Sequence, residues 1–145
     1  MSSDVLFLSI RPQFAHRILS GSKTVEFRRT RPRADAGQLL VLYASSPEMR
    51  LVGFARVAEI VSGPPTRIWS EFGACGGIPR SAYRTYFAGA HTAHAIRLDG
   101  VEPLRKLVPL EAIRKRLPRF HPPQAFAYLS RSRLEALGVL APGGT

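Results

Sequence analysis

The chain has 145 residues, 45% hydrophobic and 21% charged, and its 21 Lys and Arg against 10 Asp and Glu give a formal charge of +11 at pH 7. That is one domain's worth of chain, able to bury about two-thirds of its unfolded surface, so neither a metal nor a disulfide is needed to hold it together. A single cysteine, Cys75, excludes an internal disulfide, and no apolar run reaches the roughly 20 residues of a spanning helix, so a soluble, cytoplasmic protein with no membrane partner is expected.

Val5 to Ile10 is a nearly continuous apolar run, the pattern of a strand buried on both faces. Pro12 suits the first turn of a helix, and Phe14, Ala15, Ile18 and Leu19 form its core stripe over 13–20. Arg11, His16 and Arg17 fall off that stripe, towards solvent or ligand. Gly21 marks the helix end and Lys23 sits at the turn. Residues 24 to 29 then read as a strand, with Val25 and Phe27 on one face and Thr24, Glu26 and Arg28 on the other. On pattern alone, Glu26 and Arg28 are a solvated pair on an edge strand, worth under about 1 kcal/mol. The turn-rich loop that follows gives Arg29, Arg31 and Arg33 the chance to touch phosphate. Gln38 to Ala44 reads as a second buried strand, ending at Ser45-Ser46-Pro47, where the hydroxyls cap a turn or meet the polar edge of a ligand.

Leu51 to Val61 reads as a long strand in which Gly53 marks a bend or bulge of the kind a small closed barrel requires. Ile68, Trp69 and Phe72 suit a short helix packed outside. Cys75 to Pro79 reads as a flexible connector, and Ser81 as the cap of a second short helix bearing Tyr83, Tyr86 and Phe87. Thr92 to Leu98 reads as a strand; its His94 lacks the Cys or carboxylate company of a zinc site, and no metal is expected. An irregular segment from 103 leads into a helix over 109–117. Arg119 to Gln124 must be extended, because residues before proline avoid the helical region. Phe126 to Leu129 can close the sheet, Ser130 can cap a last helix through Leu137, and the tail 141–145 is expected to be disordered. About five or six strands with three to five short helices indicate an α+β fold, a small β-barrel with short helices packed outside it, in a single domain over 1–140.

The basic residues are unevenly placed. Seven fall within 11–33 and eight within 105–133, segments whose only acids are Glu26 and Glu111. If the two segments meet, they form one positive surface suited to a polyanion. The phosphate loop G-x-x-x-x-G-K-[ST], the dinucleotide fingerprint G-x-G-x-x-G, the zinc motif H-E-x-x-H and the G-x-S-x-G elbow are all absent. Triphosphates, dinucleotides and metal hydrolysis are thereby disfavoured, and no cofactor is expected.

Residues 21–29 carry the spacing G-x-K-x-x-E-x-R at Gly21, Lys23, Glu26 and Arg28. This stretch resembles the signature of the ASCH domain family, a relative of the PUA-like RNA-binding barrels. The resemblance extends through the order of elements to Tyr43-Ala44-Ser45-Ser46-Pro47 and, more loosely, to Pro122-Pro123-Gln124-Ala125-Phe126. It implies a PUA-like barrel and a nucleic-acid binder, RNA favoured and DNA the alternative, reading single-stranded RNA or an exposed or modified base, with the chain as a monomer. The residues expected to bind are Arg11, Lys23, Glu26, Arg28, Arg29, Arg31, Arg33, Tyr43, Ser45, Ser46, Arg119 and Gln124. The arginines would neutralise phosphates, and Tyr43 or Phe120 would offer a stacking face. Glu26 would accept a hydrogen bond from the exocyclic amino group of an unpaired base.

An enzyme is the alternative, because some similar proteins are described as amidohydrolases acting on acylated cytidine, or as ribonucleases. Lys23 would then be the base, with Thr24 and Glu26 orienting water or substrate. The amidohydrolase branch carries Thr where this chain has Glu26, which counts against that activity. A regulatory role, with the basic surface docking an acidic partner, is the third option.

Overall fold

The uninterrupted apolar run at the start of the chain becomes an interior strand. In the computed structural model, which describes residues 4–139, β1 (Asp4–Ile10) lies between β3 (Leu39–Ala44), to which it is parallel, and β6 (Phe126–Ser130), to which it is antiparallel. Its Leu6, Leu8 and Ile10 pack with Ile18, Leu40 and Leu42 on one side of the sheet, while Val5 and Phe7 pack with Val41, Tyr43 and Ile113 on the other. Both faces are covered, as the lack of alternation requires.

α1 (Pro12–Ser20) begins at Pro12 and stops at Gly21, whose φ of 89° is the left-handed conformation that ends a helix with least strain on glycine. The remaining elements follow as β2 (Val25–Arg28), β4 (Arg50–Gly63), α2 (Pro65–Phe72), α3 (Arg80–Tyr86), β5 (Ala93–Pro109), α4 (Leu110–Arg116) and α5 (Arg131–Ala136). The six strands make one mixed sheet in the order β2-β5-β4-β3-β1-β6. α2 and α3 cover the β2 end, where Val25 and Phe27 meet Ile68, Tyr83 and Phe87. Trp69 packs there too, its ring centroid 4.8 Å from Tyr83, which makes it a packing residue. No helix among the described residues is long and apolar enough to cross a membrane.

Several expectations are corrected. β5 does not stop at Leu98 but runs on to Pro109 against β4, because the register shift between Phe54 and Arg56 absorbs Gly100, and Pro103 pairs with Gly53 beside a second shift, without ending the ladder. Gly53 lies at one of those shifts, where a Cβ would stand 2.6 Å from Leu19 Cδ2 and 2.9 Å from the Glu102 carbonyl, so only glycine fits. Ser81 is not a cap. Pro79 holds that place in an extended conformation and the helix starts at Arg80. Ser130 does cap α5, its Oγ accepting from the Arg133 amide at 3.3 Å.

The sheet is α+β in class but is not a closed barrel, because the edge strands β2 and β6 do not pair. The sheet curls, and a side chain spans the remaining gap. Arg28 of β2 donates to the Ser9 carbonyl on β1 at 2.8 Å and to the Ala125 carbonyl, just before β6, at 3.4 Å. The expected tail 141–145 lies outside the described residues.

Candidate functional site

The gap bridged by Arg28 is the floor of a cleft of about 1190 Å³, open to solvent. β2 supplies Glu26 and Arg28, the turn before it supplies Lys23, and Arg11, Tyr43, Ser45, Ser46 and Gln124 complete the side expected from the sequence, joined by Ser9, which the sequence reading did not name. The strand does begin after Lys23, at Val25. That frees Lys23 from strict alternation and lets its ammonium turn to the Glu26 side.

Lys23, Glu26 and Arg28 are only 1%, 7% and 8% exposed, so the motif is not a solvated edge pair. Glu26 sits between the two cations. Its Oε1 is 3.2 Å from Lys23 Nζ, and its Oε2 accepts from Arg28 Nε at 2.8 Å and lies 2.7 Å from Nη2. The Lys23 ammonium also donates to the Gly76 carbonyl, with the rings of Phe14 and Phe27 at 5.4 and 5.7 Å. Burial pushes the Lys23 pKa below the ordinary lysine value of 10.5. Glu26 opposes that shift, while Arg28 and Arg17 add to it. The lysine is therefore closer to releasing its proton than a surface lysine, which is the property a proton-transfer group needs.

The loop carrying Cys75 reads in the sequence as a flexible connector, but it is packed onto this array. Cys75 carbonyl accepts from the Thr24 amide at 3.0 Å, Gly76 holds Lys23, and the Gly77 carbonyl accepts from Arg17. A Cβ at Gly76 would run into the Phe27 ring. At Gly77, with φ of +62°, it would come within 2.9 Å of Lys23 Cβ. The pair Gly76-Gly77 was the available sign that a backbone passes closely here.

Other expected residues lie elsewhere. Thr24 is exposed and does not line the cleft. Arg29 donates to the Tyr86 and Ala88 carbonyls at the end of α3, Arg31 to the Ile60 carbonyl and Ser62, and the Arg33 guanidinium stacks 5.2 Å over the Tyr128 ring. The loop sends these arginines to three separate anchors, so they are staples that remain exposed rather than one row. Arg119 is exposed and outside the cleft lining. Tyr43 is buried, its ring 5.4 Å from Phe7, and the Phe120 ring packs edge-on to the same Phe7. Tyr43 has no face free to stack and Phe120 lies outside the cleft lining, and burial raises the Tyr43 pKa, which keeps its hydroxyl protonated.

The sequence reading missed the far wall, where Phe14, Met49, Ile78, Ser81, Thr85 and Tyr86 also line the cleft. It placed Tyr86 on a short helix with Tyr83 and Phe87 and gave it no part in the site.

Comparison with known proteins agrees with this architecture. The ASCH domain model matches residues 8–102. An ASCH domain-containing ribonuclease of Zymomonas mobilis is 34% identical over 130 residues, covering 90% of this chain and 87% of that protein. The crystal structure of ASCH from Zymomonas mobilis superimposes with a TM-score of 0.86 at 33% identity, over 92% of each chain. The N-terminal domain of Staphylothermus marinus McrB shares the fold at 11% identity, with a TM-score of 0.60 over 95% of this chain and 94% of that one. With a domain match over most of its length and a relative aligned along nine-tenths of it, this chain belongs to the ASCH domain family.

Proposed function

We propose that the protein binds unpaired RNA in the cleft and cleaves it, with Lys23, Glu26 and Arg28 as the working groups. One observation carries the reading: three buried charged side chains are joined in series on the floor of an open cleft. Such an array is a poor device for stability, since apolar residues of similar volume often do as well. A desolvated lysine at a cleft floor is instead a common mark of a site that moves protons. The name of the Zymomonas relative supports the choice of RNA cleavage as the reaction class.

RNA carries its own nucleophile in the ribose 2′-hydroxyl. Neutral Lys23 takes that proton, the 2′-oxygen attacks phosphorus, and the P–O5′ bond breaks to leave a 2′,3′-cyclic phosphate. The departing 5′-oxygen takes a proton from water at the open mouth. The Arg28 cation offsets the charge that builds on the phosphoryl oxygens, and Glu26 holds the Lys23 nitrogen in place.

Lys23→Arg keeps the positive charge but cannot act as a base. Cleavage of single-stranded RNA should fall by roughly 10²- to 10⁴-fold, while affinity measured by fluorescence anisotropy stays close to that of the wild type. In the wild type, the rate should rise with pH and level off below the ordinary lysine value of 10.5, because burial lowers the Lys23 pKa. Wild-type rates in Lys23→Arg would remove this residue from the chemistry. A wild type that cuts no RNA would sink the ribonuclease reading and leave binding alone.

Phosphate contact by the loop is tested separately. Replacing Arg29, Arg31 and Arg33 together by Gln should flatten the dependence of log affinity on log salt by up to about 2, at about 0.7 per lost contact to a single strand. An unchanged slope would show that these residues serve only as staples.

A further inference from the structure

The second basic segment of the sequence is not used by the cleft. Residues 105–133 hold eight Lys and Arg against the single acid Glu111, which is seven of the chain's eleven excess positive charges. α4 and α5 carry five of those cations and lie on the same side of the sheet. Leu110 and Ile113 of α4, Phe120 and Leu134 of α5 pack there with Val5, Phe7 and Val41. With their apolar sides committed, the helices leave Arg114, Lys115, Arg116 and Arg133 exposed, and Arg119 is exposed on the turn after α4. Among the described residues none of these five forms an ion pair, and Glu111 and Glu135, the acids of the two helices, neutralise none of them. Arg114 alone has a side-chain bond, to the Phe120 carbonyl at 3.2 Å. One cation already complements the carbonyl end of a helix such as α4, and Arg119 and Arg133 lie beyond it. Like charges held close together repel, and a polyanion laid across them relieves that repulsion.

Two features narrow the kind of polyanion. The face adjoins the cleft: Leu110, the first residue of α4, and Pro122 to Gln124 line it, and Arg114 is near enough for its charge to oppose the upward shift of the Tyr43 hydroxyl. The face also offers no exposed ring. Among the described residues the exposed large hydrophobic side chains are Met49 and Tyr86, and both belong to the cleft lining. Single strands are held by aromatic faces as well as by charge. Paired RNA turns its bases inward and is recognised through its phosphates and its shape, which asks only for cations spread over a surface.

We infer that the exposed face of α4 and α5 docks the phosphate backbone of a duplex RNA stem, while the unpaired stretch beside that stem lies in the cleft. The inference rests on the RNA reading above and adds to it the form of the substrate: a folded RNA with a stem next to an open segment, in place of a featureless strand. The two surfaces divide the task. The cations of α4, the turn after it and α5 grip the stem whatever its sequence, because phosphate contacts position without reading bases. The Lys23 array meets the strand that leaves the stem. Arg119 on the basic face and Pro122 in the cleft lining are close in sequence, so cleavage falls near the junction of stem and single strand.

The test uses an unpaired 2′-fluoro RNA, which lacks the nucleophile and is not cut, beside the same strand extended by a short hairpin stem. Affinities are measured by fluorescence anisotropy across a salt series, for wild type and for Lys115→Gln, Arg116→Gln and Arg133→Gln combined. The side chains of these three residues make no bond within the described fold, so the variant keeps its structure. The wild type should prefer the stem-bearing RNA by about tenfold or more. The variant should lose that preference yet bind the plain strand as the wild type does. Its slope of log affinity against log salt for the stem-bearing RNA should fall by up to about 2.7, at about 0.9 per lost duplex contact. A wild type that gains nothing from the stem would overturn the docking face, leave it to an acidic protein and keep the single-strand reading intact. A variant that retains the full gain would overturn it as well. A wild type that binds neither RNA would overturn both readings.

Discussion

Glu26→Gln should lower the unfolding free energy by about 3–5 kcal/mol, the usual cost of removing one partner from a buried ion pair. Glutamine keeps the shape and one acceptor, so the loss reports charge rather than volume. Without the carboxylate, Lys23 and Arg28 are two buried cations with no anion between them. The influences that raise the Lys23 pKa both come from Glu26, so the variant's pKa falls further below 10.5. The pH dependence follows from that direction. Between the lowered folded value and the unfolded value of 10.5, the unfolded chain holds a proton that the folded chain has released, so stability rises with pH. Urea denaturation of the variant should therefore recover part of the loss as the buffer is moved from neutral towards alkaline pH. A cost below about 1 kcal/mol would return the motif to the class of solvated surface pairs.

Arg28→Met should cost about 3 kcal/mol, at the lower end of that range because Lys23 still neutralises Glu26. Its distinguishing effect is spatial. The guanidinium ties β2 to β1 and to the segment entering β6, across a seam that no backbone ladder closes. Hydrogen exchange should quicken in residues 25–28 and 124–130 while the paired stretches of β4 and β5 keep their protection. Uniform acceleration would mean that Arg28 contributes to global stability without closing the seam.

Legibility in the sequence varied with how local the determining forces were. β1, α1 and β3 could be read because their burial is written in consecutive residues, and the Ser130 cap because its partner is three positions away. β5 beyond Leu98 could not, since Gly100 and Pro103 look like breakers until a partner strand with matching bulges is known. The burial of Lys23 was invisible for a different reason. A lysine goes inside only when a carboxylate, a carbonyl and aromatic rings converge on it, and here the carbonyl comes from Gly76, which is 53 positions away. The site itself was half legible. The motif face, Tyr43, Ser45, Ser46 and Gln124 do meet at the cleft, but Tyr43 turned out to be packed. Tyr86 was hidden because three aromatic residues on one short helix do not show which of them packs, and only Tyr83 and Phe87 are buried.

The position of β1 ties the two ends of the described chain together in time as well as in space. Leu6 pairs with Leu40 on one side and with Tyr128 on the other. On the ribosome, Leu40 emerges well before Tyr128, so the first partner is available long before the second. Until residues 126–130 emerge, this buried apolar strand therefore has one bare hydrogen-bonding edge, the kind of edge that recruits other chains. Residues 126–130 are thus more than the final strand of the sheet. They are the shield that β1 must wait for, and any nascent chain that stalls before them leaves the ribosome with its stickiest edge uncovered.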